Sequence, residues 1–192
     1  VIKKSKQLII KSQKQMKKAK LLVAVIMTSA ILMAGKANAQ EIKGKNFINA
    51  GIGIGTFGFS GTGGLPITAS IEHGFTDKIS GGLYLGFITR NFLDDYKYRY
   101  FVAGARASYH FNELLNVTNE KLDIYGGAAL YYRNLKVKYN GHGDGDLYKA
   151  SAGAVGIGIF AAGRYYFSEN VGAYAELGYG ISPLQLGVTF KL

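Results

Sequence analysis

The sequence of 192 residues contains no cysteine and only two prolines. Without cysteine the chain can form no disulfide, thiolate metal site or cysteine nucleophile. Proline interrupts the hydrogen-bond ladder of a sheet, so its scarcity leaves room for many strands. Glycine (27), tyrosine (14) and phenylalanine (11) are frequent instead. This composition favours a single all-β domain with a crowded interior.

Acidic residues are missing from residues 1–39, which hold nine of the 23 basic residues. The rest of the chain therefore carries 14 basic and 12 acidic residues, and the net charge of +11 is concentrated at the N-terminus. No basic groove with interleaved aromatic residues is apparent, so we predict no nucleic-acid partner.

The N-terminal region has the pattern of a secretory signal peptide. Lysines precede an apolar run over residues 21–34, and Ala37, Asn38 and Ala39 follow as a small-x-small cleavage site. The run is shorter than the roughly 20 residues of a membrane-spanning helix. We predict that translation starts at Met16 or, alternatively, that residues 1–15 are an upstream extension of the signal peptide. Cleavage after Ala39 then leaves a mature domain of 40–192.

The C-terminal stretch 171–192 alternates with the period of two that is typical of strands. One face of the last run is apolar and the other is small or polar, with Leu184, Leu186, Val188, Phe190 and Leu192 opposite Gln185, Gly187, Thr189 and Lys191. A face of glycine, tyrosine and charge suits the interior of a narrow barrel, and the apolar face suits lipid.

The same alternation recurs along the chain. It predicts strands at 47–55, 67–75, 79–88, 100–111, 122–133 with a continuation to 138 left open, within 153–167, at 171–179 and at 184–192. We therefore predict an eight-stranded antiparallel transmembrane β-barrel preceded by a cleavable signal peptide, with outer loops at 56–65, 89–99 and 139–151. The alternative is a soluble barrel of lipocalin type, which would place Leu85 and Leu186 inside and Arg106, Arg164 and Glu176 outside.

Four charged residues fall on predicted inward faces: Glu72, Arg106, Arg164 and Glu176, with Asp123 as a further candidate. Buried charges are costly unless paired, so both signs in one lumen predict a salt-bridge network. A turn centred on Glu169 places Glu176 diagonal to Arg164, and we predict that these two pair, with Arg106, water or another turn register as the alternatives for Glu176. The network would act as a plug in a barrel with a structural or surface-interaction role. Alternatively, it would line the narrow gated ion path of a small pore or transport component.

Three short motifs carry little weight. Residues 53–58 match G-x-G-x-x-G, but a strand follows where a dinucleotide site needs a helix. His142, Asp144 and Asp146 lack the later ligands of a calcium loop. The three histidines (73, 110 and 142) and the serines could form the triad of a lipid-modifying hydrolase on the barrel wall, the least favoured alternative, but no spacing selects such a set. We therefore predict no catalytic, cofactor or metal site and no enzymatic activity.

Four segments carry a family resemblance: IEHGFTDKISGGLYLGF (71–87), GARASYHFNE (104–113), GRYYFSENVGAYAELGYG (163–180) and LGVTFKL (186–192). They resemble the small outer-membrane β-barrels of Gram-negative bacteria, the OmpA/OmpX-like, opacity-type group often called the porin family. The resemblance covers about residues 40–192. It implies a monomer in outer-membrane lipid, with an assembly signal at Phe190 and Leu192 that the outer-membrane assembly machinery reads.

Overall fold

The computed structural model describes residues 40–56, 62–92, 96–139 and 149–192. Regular structure in these residues consists of β1 (Asn46–Ile54), β2 (Thr62–Gly63), β3 (Ile67–Gly74), β4 (Ile79–Phe92), β5 (Tyr96–His110), β6 (Leu122–Tyr139), β7 (Lys149–Tyr166), β8 (Val171–Tyr179) and β9 (Leu184–Lys191). No helix among the described residues is long and apolar enough to cross a membrane.

The eight long strands close into an antiparallel barrel, as predicted. Each pairs with the long strands next to it in the sequence, and β1 also pairs with β9. The two-residue β2 pairs with residues 90 and 91 near the end of β4. In the closing pair Phe47 lies opposite Lys191 and Ile54 opposite Leu184. Closure removes free strand edges, which hydrocarbon does not tolerate because an edge exposes unpaired amide and carbonyl groups.

The predicted inward and outward faces are confirmed. The outward face of β3 and β4 exposes large apolar side chains, among them Ile67, Ile71, Leu83, Leu85 and Phe87. The inward positions of the same strands are buried and mostly small or polar. The lipocalin-type alternative is wrong, because Leu85 and Leu186 are exposed whereas Arg106, Arg164 and Glu176 are buried inside.

Two predicted outer loops are shorter in the structure. Strands β4 and β5 pair as far as Phe92 and Tyr96, within the loop predicted at 89–99. Strands β6 and β7 reach Tyr139 and Lys149, at the edges of the loop predicted at 139–151. The prediction was wrong because it equated a polar outward face with a loop. Backbone pairing continues beyond the apolar band, where outward side chains meet water or headgroups.

We call the end of the barrel that carries residues 40–45 and Leu192 the inner end, and the opposite end the outer end. The segment 40–45 folds across the inner end. Ile42 has no exposed surface. The Gly44 and Gly74 amides donate to the Gly74 and Lys45 carbonyls, each at 2.8 Å. A Cβ atom on Gly74 would collide with the Ile42 carbonyl, so this close approach requires glycine.

Several sequence predictions lie outside the described residues. They are the signal peptide with its start at Met16 and cleavage after Ala39, the end of the 53–58 motif, and the loop with His142, Asp144 and Asp146.

Candidate functional site: the barrel lumen

Glu72 of β3 is the centre of the lumen network and is completely buried. Its Oε2 accepts hydrogen bonds from Ser108 Oγ at 2.6 Å and Ser80 Oγ at 3.2 Å. Its Oε1 lies 3.1 Å from Arg164 Nη2 and 3.4 Å from Arg106 Nε. One carboxylate thus connects two arginines from β5 and β7, which compensates the cost of burying it.

Arg164 is the second buried centre, also with no exposed surface. Besides Glu72, its Nη1 contacts Asp123 Oδ2 at 3.3 Å. Its guanidinium lies over the rings of Tyr125 and Phe47, with centroid distances of 4.0 and 4.6 Å. A planar guanidinium can use its edge for carboxylates and its faces for rings, which suits arginine in this confined space.

Arg106 forms an ion pair with Glu176, the last of the four charged residues that were predicted to face the lumen. The Nη2 atom of Arg106 lies 2.7 Å from Glu176 Oε2, and Gln185 Nε2 donates to Glu176 Oε1 at 3.1 Å. The predicted strand register is confirmed, with Arg164 opposite Tyr174. The predicted Arg164–Glu176 pair is wrong, because Arg164 instead contacts carboxylates on β3 and β6, across the barrel and on the neighbouring strand.

A glycine makes the contact between Glu72 and Arg106 possible. In the sheet register Gly82 lies directly between them, opposite Glu72 on one side and Arg106 on the other. A Cβ atom on Gly82 would collide with the Ile71 carbonyl. The absence of a Cβ atom therefore allows the backbones of β3 and β4 to approach closely between Glu72 and Arg106.

Ser80, His110 and Asp123 form a second chain of contacts. Ser80 Oγ lies 2.9 Å from His110 Nε2, and His110 Nδ1 lies 2.8 Å from Asp123 Oδ1. Serine, histidine and aspartate are connected in this order in the catalytic triad of serine hydrolases. Ser80, however, has no exposed surface, and its hydroxyl also donates toward Glu72. A tetrahedral intermediate on Ser80 would place negative charge beside that carboxylate, which opposes catalysis.

An apolar cluster lies above the charges, toward the outer end. Its buried members are Tyr84, Ile88, Tyr100, Val102, Tyr131 and Ile181. Ile181 belongs to the turn between β8 and β9. The hydroxyl of Ser182, the next residue, lies within 3.0 Å of the carbonyl oxygens of Ile54, Gly55 and Leu184. This turn therefore folds over the lumen.

Two cavities border the network. One of about 20 Å³ lies between the apolar cluster and the charges, lined by Tyr84, Arg106 and Glu176 among others. That volume suits about one water molecule. The other is an open pocket of about 420 Å³ at the inner end, lined by polar residues including Gln40, Lys78, His110 and Glu113.

Outside the membrane-spanning strands, an ion pair borders the inner pocket. Lys78 Nζ lies 2.9 Å from Glu113 Oε2, and this hydrogen bond raises the pKa of Lys78. Both side chains are largely in water, so the pair stabilises the barrel little.

All four charges predicted from the sequence, Glu72, Arg106, Arg164 and Glu176, lie within this one network. Sequence reasoning did not single out the polar partners Ser80, Ser108, Asn112 and Gln185. Each of these occupies an inward position of a strand or a strand end, and a correct cross-strand register would have identified them.

The two residues of the predicted assembly signal lie at the inner end. Phe190 is opposite both Ile48 and Val171 in the sheet and is partly exposed on the outward face. Leu192 is exposed, and its amide donates to the Asn46 carbonyl at 2.9 Å.

No protein-family model matches this sequence, and a comparison with curated proteins finds no match. Solved structures do match. The N-terminal β-barrel domain of Pseudomonas aeruginosa OprF is 23% identical, with a TM-score of 0.53 over 78% of this chain and 98% of that one. Neisserial surface protein A is 15% identical, with a TM-score of 0.52 over 77% and 93%.

A third match is the attachment invasion locus protein Ail of Yersinia pestis, solved with the heparin analogue sucrose octasulfate. It is 13% identical, with a TM-score of 0.53 over 78% of this chain and 99% of that one. The identities are low, so the similarity is one of fold. The chain has the fold of the small, OmpA/OmpX-like outer-membrane β-barrels.

Proposed function

We propose that this protein is an integral outer-membrane barrel with a structural or surface-interaction role, whose lumen is closed by its own side chains. The observation that carries the proposal is the continuous contact of Arg164, Glu72 and Arg106 across the barrel interior. The apolar cluster and the segment 40–45 support it, since they fill the interior on either side of the charges.

The proposal includes how the protein reaches and occupies the membrane. A signal peptide cleaved after Ala39 directs it across the inner membrane. The assembly machinery then reads Phe190 and Leu192, and the barrel works as a monomer in lipid without a cofactor. No enzymatic step belongs to this proposal. The outer loops provide the contact surface, in keeping with a fold shared with a protein named for attachment and invasion.

A gated ion path is the second candidate, favoured by the presence of both charge signs in the lumen and by the small cavity beside Arg106. In this case the charge network would rearrange to let ions through the lumen, whereas a plug would block them permanently.

Planar-bilayer conductance of the refolded barrel separates the two candidates. For a plug we expect no steady conductance at any moderate voltage. The variant carrying Glu72→Ala and Arg106→Ala serves as the control, because its emptied lumen should conduct if it has inserted. A steady, voltage-dependent conductance of the unmodified protein would overturn the plug and favour the gated path.

A further inference from the structure

Strands β5 and β6 continue past the apolar band at the outer end, and their outward faces there carry cations. In β5, Lys97 and Arg99 continue the outward series that includes Phe101. In β6, Lys136 and Lys138 continue the outward series that includes Leu130 and Tyr132. We name these four side chains, Lys97, Arg99, Lys136 and Lys138, the basic ledge.

The sheet register places these like charges directly opposite one another. Arg99 is the partner of Lys136, and Lys97 is the partner of Lys138. Directly opposed side chains have Cβ atoms about 4.5–5.5 Å apart, and like charges at that spacing are destabilising. An anion bound by the ledge would therefore stabilise it.

Neighbouring carboxylates do not supply this anion within the part of the chain that the structure describes. No ion pair there involves any of the four side chains. Counted over residues 88–102 and 132–152 of the sequence, seven lysines and arginines exceed the four aspartates 94, 95, 144 and 146. An excess of positive charge remains even if every aspartate were paired.

The position of the ledge identifies the source of the anion. Phe101 and Tyr132, both exposed, mark the outer limit of the apolar band on β5 and β6. Arg99 lies two residues beyond Phe101, which is about 7 Å along the strand. Aromatic girdles of such barrels lie at the interface, so the ledge lies at the depth of the lipid headgroups and faces them sideways.

We propose that the basic ledge binds the phosphate groups of outer-leaflet lipid, with Arg99 and Lys136 as the inner cation pair and Lys97 and Lys138 as the outer one. This assignment rests on the outer-membrane location proposed above. Arginine and lysine are the residues that recognise phosphate oxygens, and two stacked cation pairs suit a headgroup with more than one phosphate. Bound phosphate removes the repulsion that the register creates.

The test compares a ledge variant, Arg99→Gln with Lys136→Gln, with a matched control, Lys43→Gln with Lys121→Gln. The control also removes two cations, from the segment 40–45 and the end of the β5–β6 connection. Each protein is refolded into phosphatidylcholine vesicles alone, with bisphosphorylated lipid A, or with dephosphorylated lipid A. The midpoint temperature of unfolding, followed by gel mobility, and the lipid A affinity are measured.

We expect lipid A to raise the midpoint of the unmodified protein and of the control but not of the ledge variant. Loss of two cations should weaken lipid A binding about thirtyfold. In phosphatidylcholine alone, the ledge variant should be at least as stable as the unmodified protein because the opposed charges are gone. Dephosphorylated lipid A should not raise the midpoint temperature of unfolding of any of the three proteins.

The proposal would be overturned if lipid A raised the midpoint of the ledge variant as much as that of the unmodified protein. It would also be overturned if dephosphorylated lipid A raised the midpoint of the unmodified protein as much as bisphosphorylated lipid A does. A rise caused by soluble sucrose octasulfate in phosphatidylcholine but not by lipid A would overturn it as well, since the ledge would then bind a soluble polyanion. If the unmodified protein fails to insert into phosphatidylcholine and is extracted by carbonate, the outer-membrane function itself fails. Insertion is scored before any lipid A is added, so the two failures are distinguishable.

Discussion

Arg106 and Glu176 form the shortest ion pair of the lumen, at 2.7 Å, although Arg164 is the arginine nearer to Glu176 in the strand register. The barrel explains this choice. Arg164 is drawn to Glu72 and Asp123 and is held between the rings of Tyr125 and Phe47. Glu176 is left to the arginine of β5, which reaches it from a strand that is not its neighbour in the sheet.

The first prediction concerns this pair. Arg106→Ala or Glu176→Ala should each lower the free energy of unfolding by roughly 3–5 kcal/mol, because each leaves a charge without its partner in a buried site. The double variant should recover part of that loss. Urea unfolding of the refolded barrel, arranged as a double-mutant cycle, measures the coupling.

Two further cycles act as controls for the pair. Arg164→Ala with Glu176→Ala should show a weaker coupling than Arg106→Ala with Glu176→Ala. The exposed pair Lys78 and Glu113 should show the weakest. Additivity within about 0.5 kcal/mol for Arg106 and Glu176 would mean that they do not interact.

The second prediction tests the lipid-facing surface. Leu83 is exposed near the middle of the apolar band, and Ile79 is exposed at the inner end of the same strand. Leu83→Arg should reduce the stability of the inserted barrel by about 2–4 kcal/mol, and Ile79→Arg by about 0–1 kcal/mol, because the cost depends on depth in the bilayer. Reversible unfolding from lipid vesicles measures both. Equal costs at the two depths would contradict the placement of the band.

The third prediction concerns Gly82. Gly82→Ala should destabilise the barrel by about 1–3 kcal/mol or more, since the added methyl group collides with the Ile71 carbonyl and forces β3 and β4 apart. Gly64→Ala is the matched control, because a Cβ atom at Gly64 meets nothing within 4 Å. Unfolding in urea compares them. A similar midpoint for both variants would argue against the tight packing at Gly82.

The fourth prediction concerns the contacts among Ser80, His110 and Asp123. The folded protein should not react with a fluorophosphonate probe, because Ser80 is inaccessible and lies beside Glu72. Ser80→Ala should instead affect folding stability, since His110 and Glu72 each lose a hydrogen-bond partner. Covalent labelling of Ser80 that disappears in Ser80→Ala would show a reactive nucleophile and would require an enzymatic function.

The sequence was sufficient to predict the fold because membrane barrels separate their two faces so strictly. A period of two identified the strands, and small or charged residues against large apolar ones identified which face is inside. The same alternation of inward and outward positions predicted the four charged residues of the lumen. Strand ends were harder to predict, since Lys97 and Arg99 extend the sheet through hydrogen bonds that their polarity does not reveal.

The pairing of the charges could not be predicted by the same reasoning. Cross-strand register constrains neighbours in the sheet, whereas Glu72 and Arg164 belong to strands on different sides of the barrel. Such contacts depend on barrel diameter, strand tilt and the free space above glycines such as Gly82. The Ser80–His110–Asp123 contacts were missed for a different reason, since their strands β4, β5 and β6 are neighbours in the sheet. Ser80 lies opposite Ser108 and His110 lies opposite Tyr125, so each contact is a diagonal one that requires the register of two strand pairs.

The pairing of β1 with β9 has a consequence for folding kinetics. The two strands that close the barrel come from opposite ends of the domain, so closure is the contact of longest sequence separation. It incurs the largest loop entropy and comes without local contacts to assist it. Synthesis must reach β9 before the ring can form, and until then two strand edges are open to association with other chains. A chaperone or insertase that shields those edges would shorten this vulnerable interval without changing the final stability.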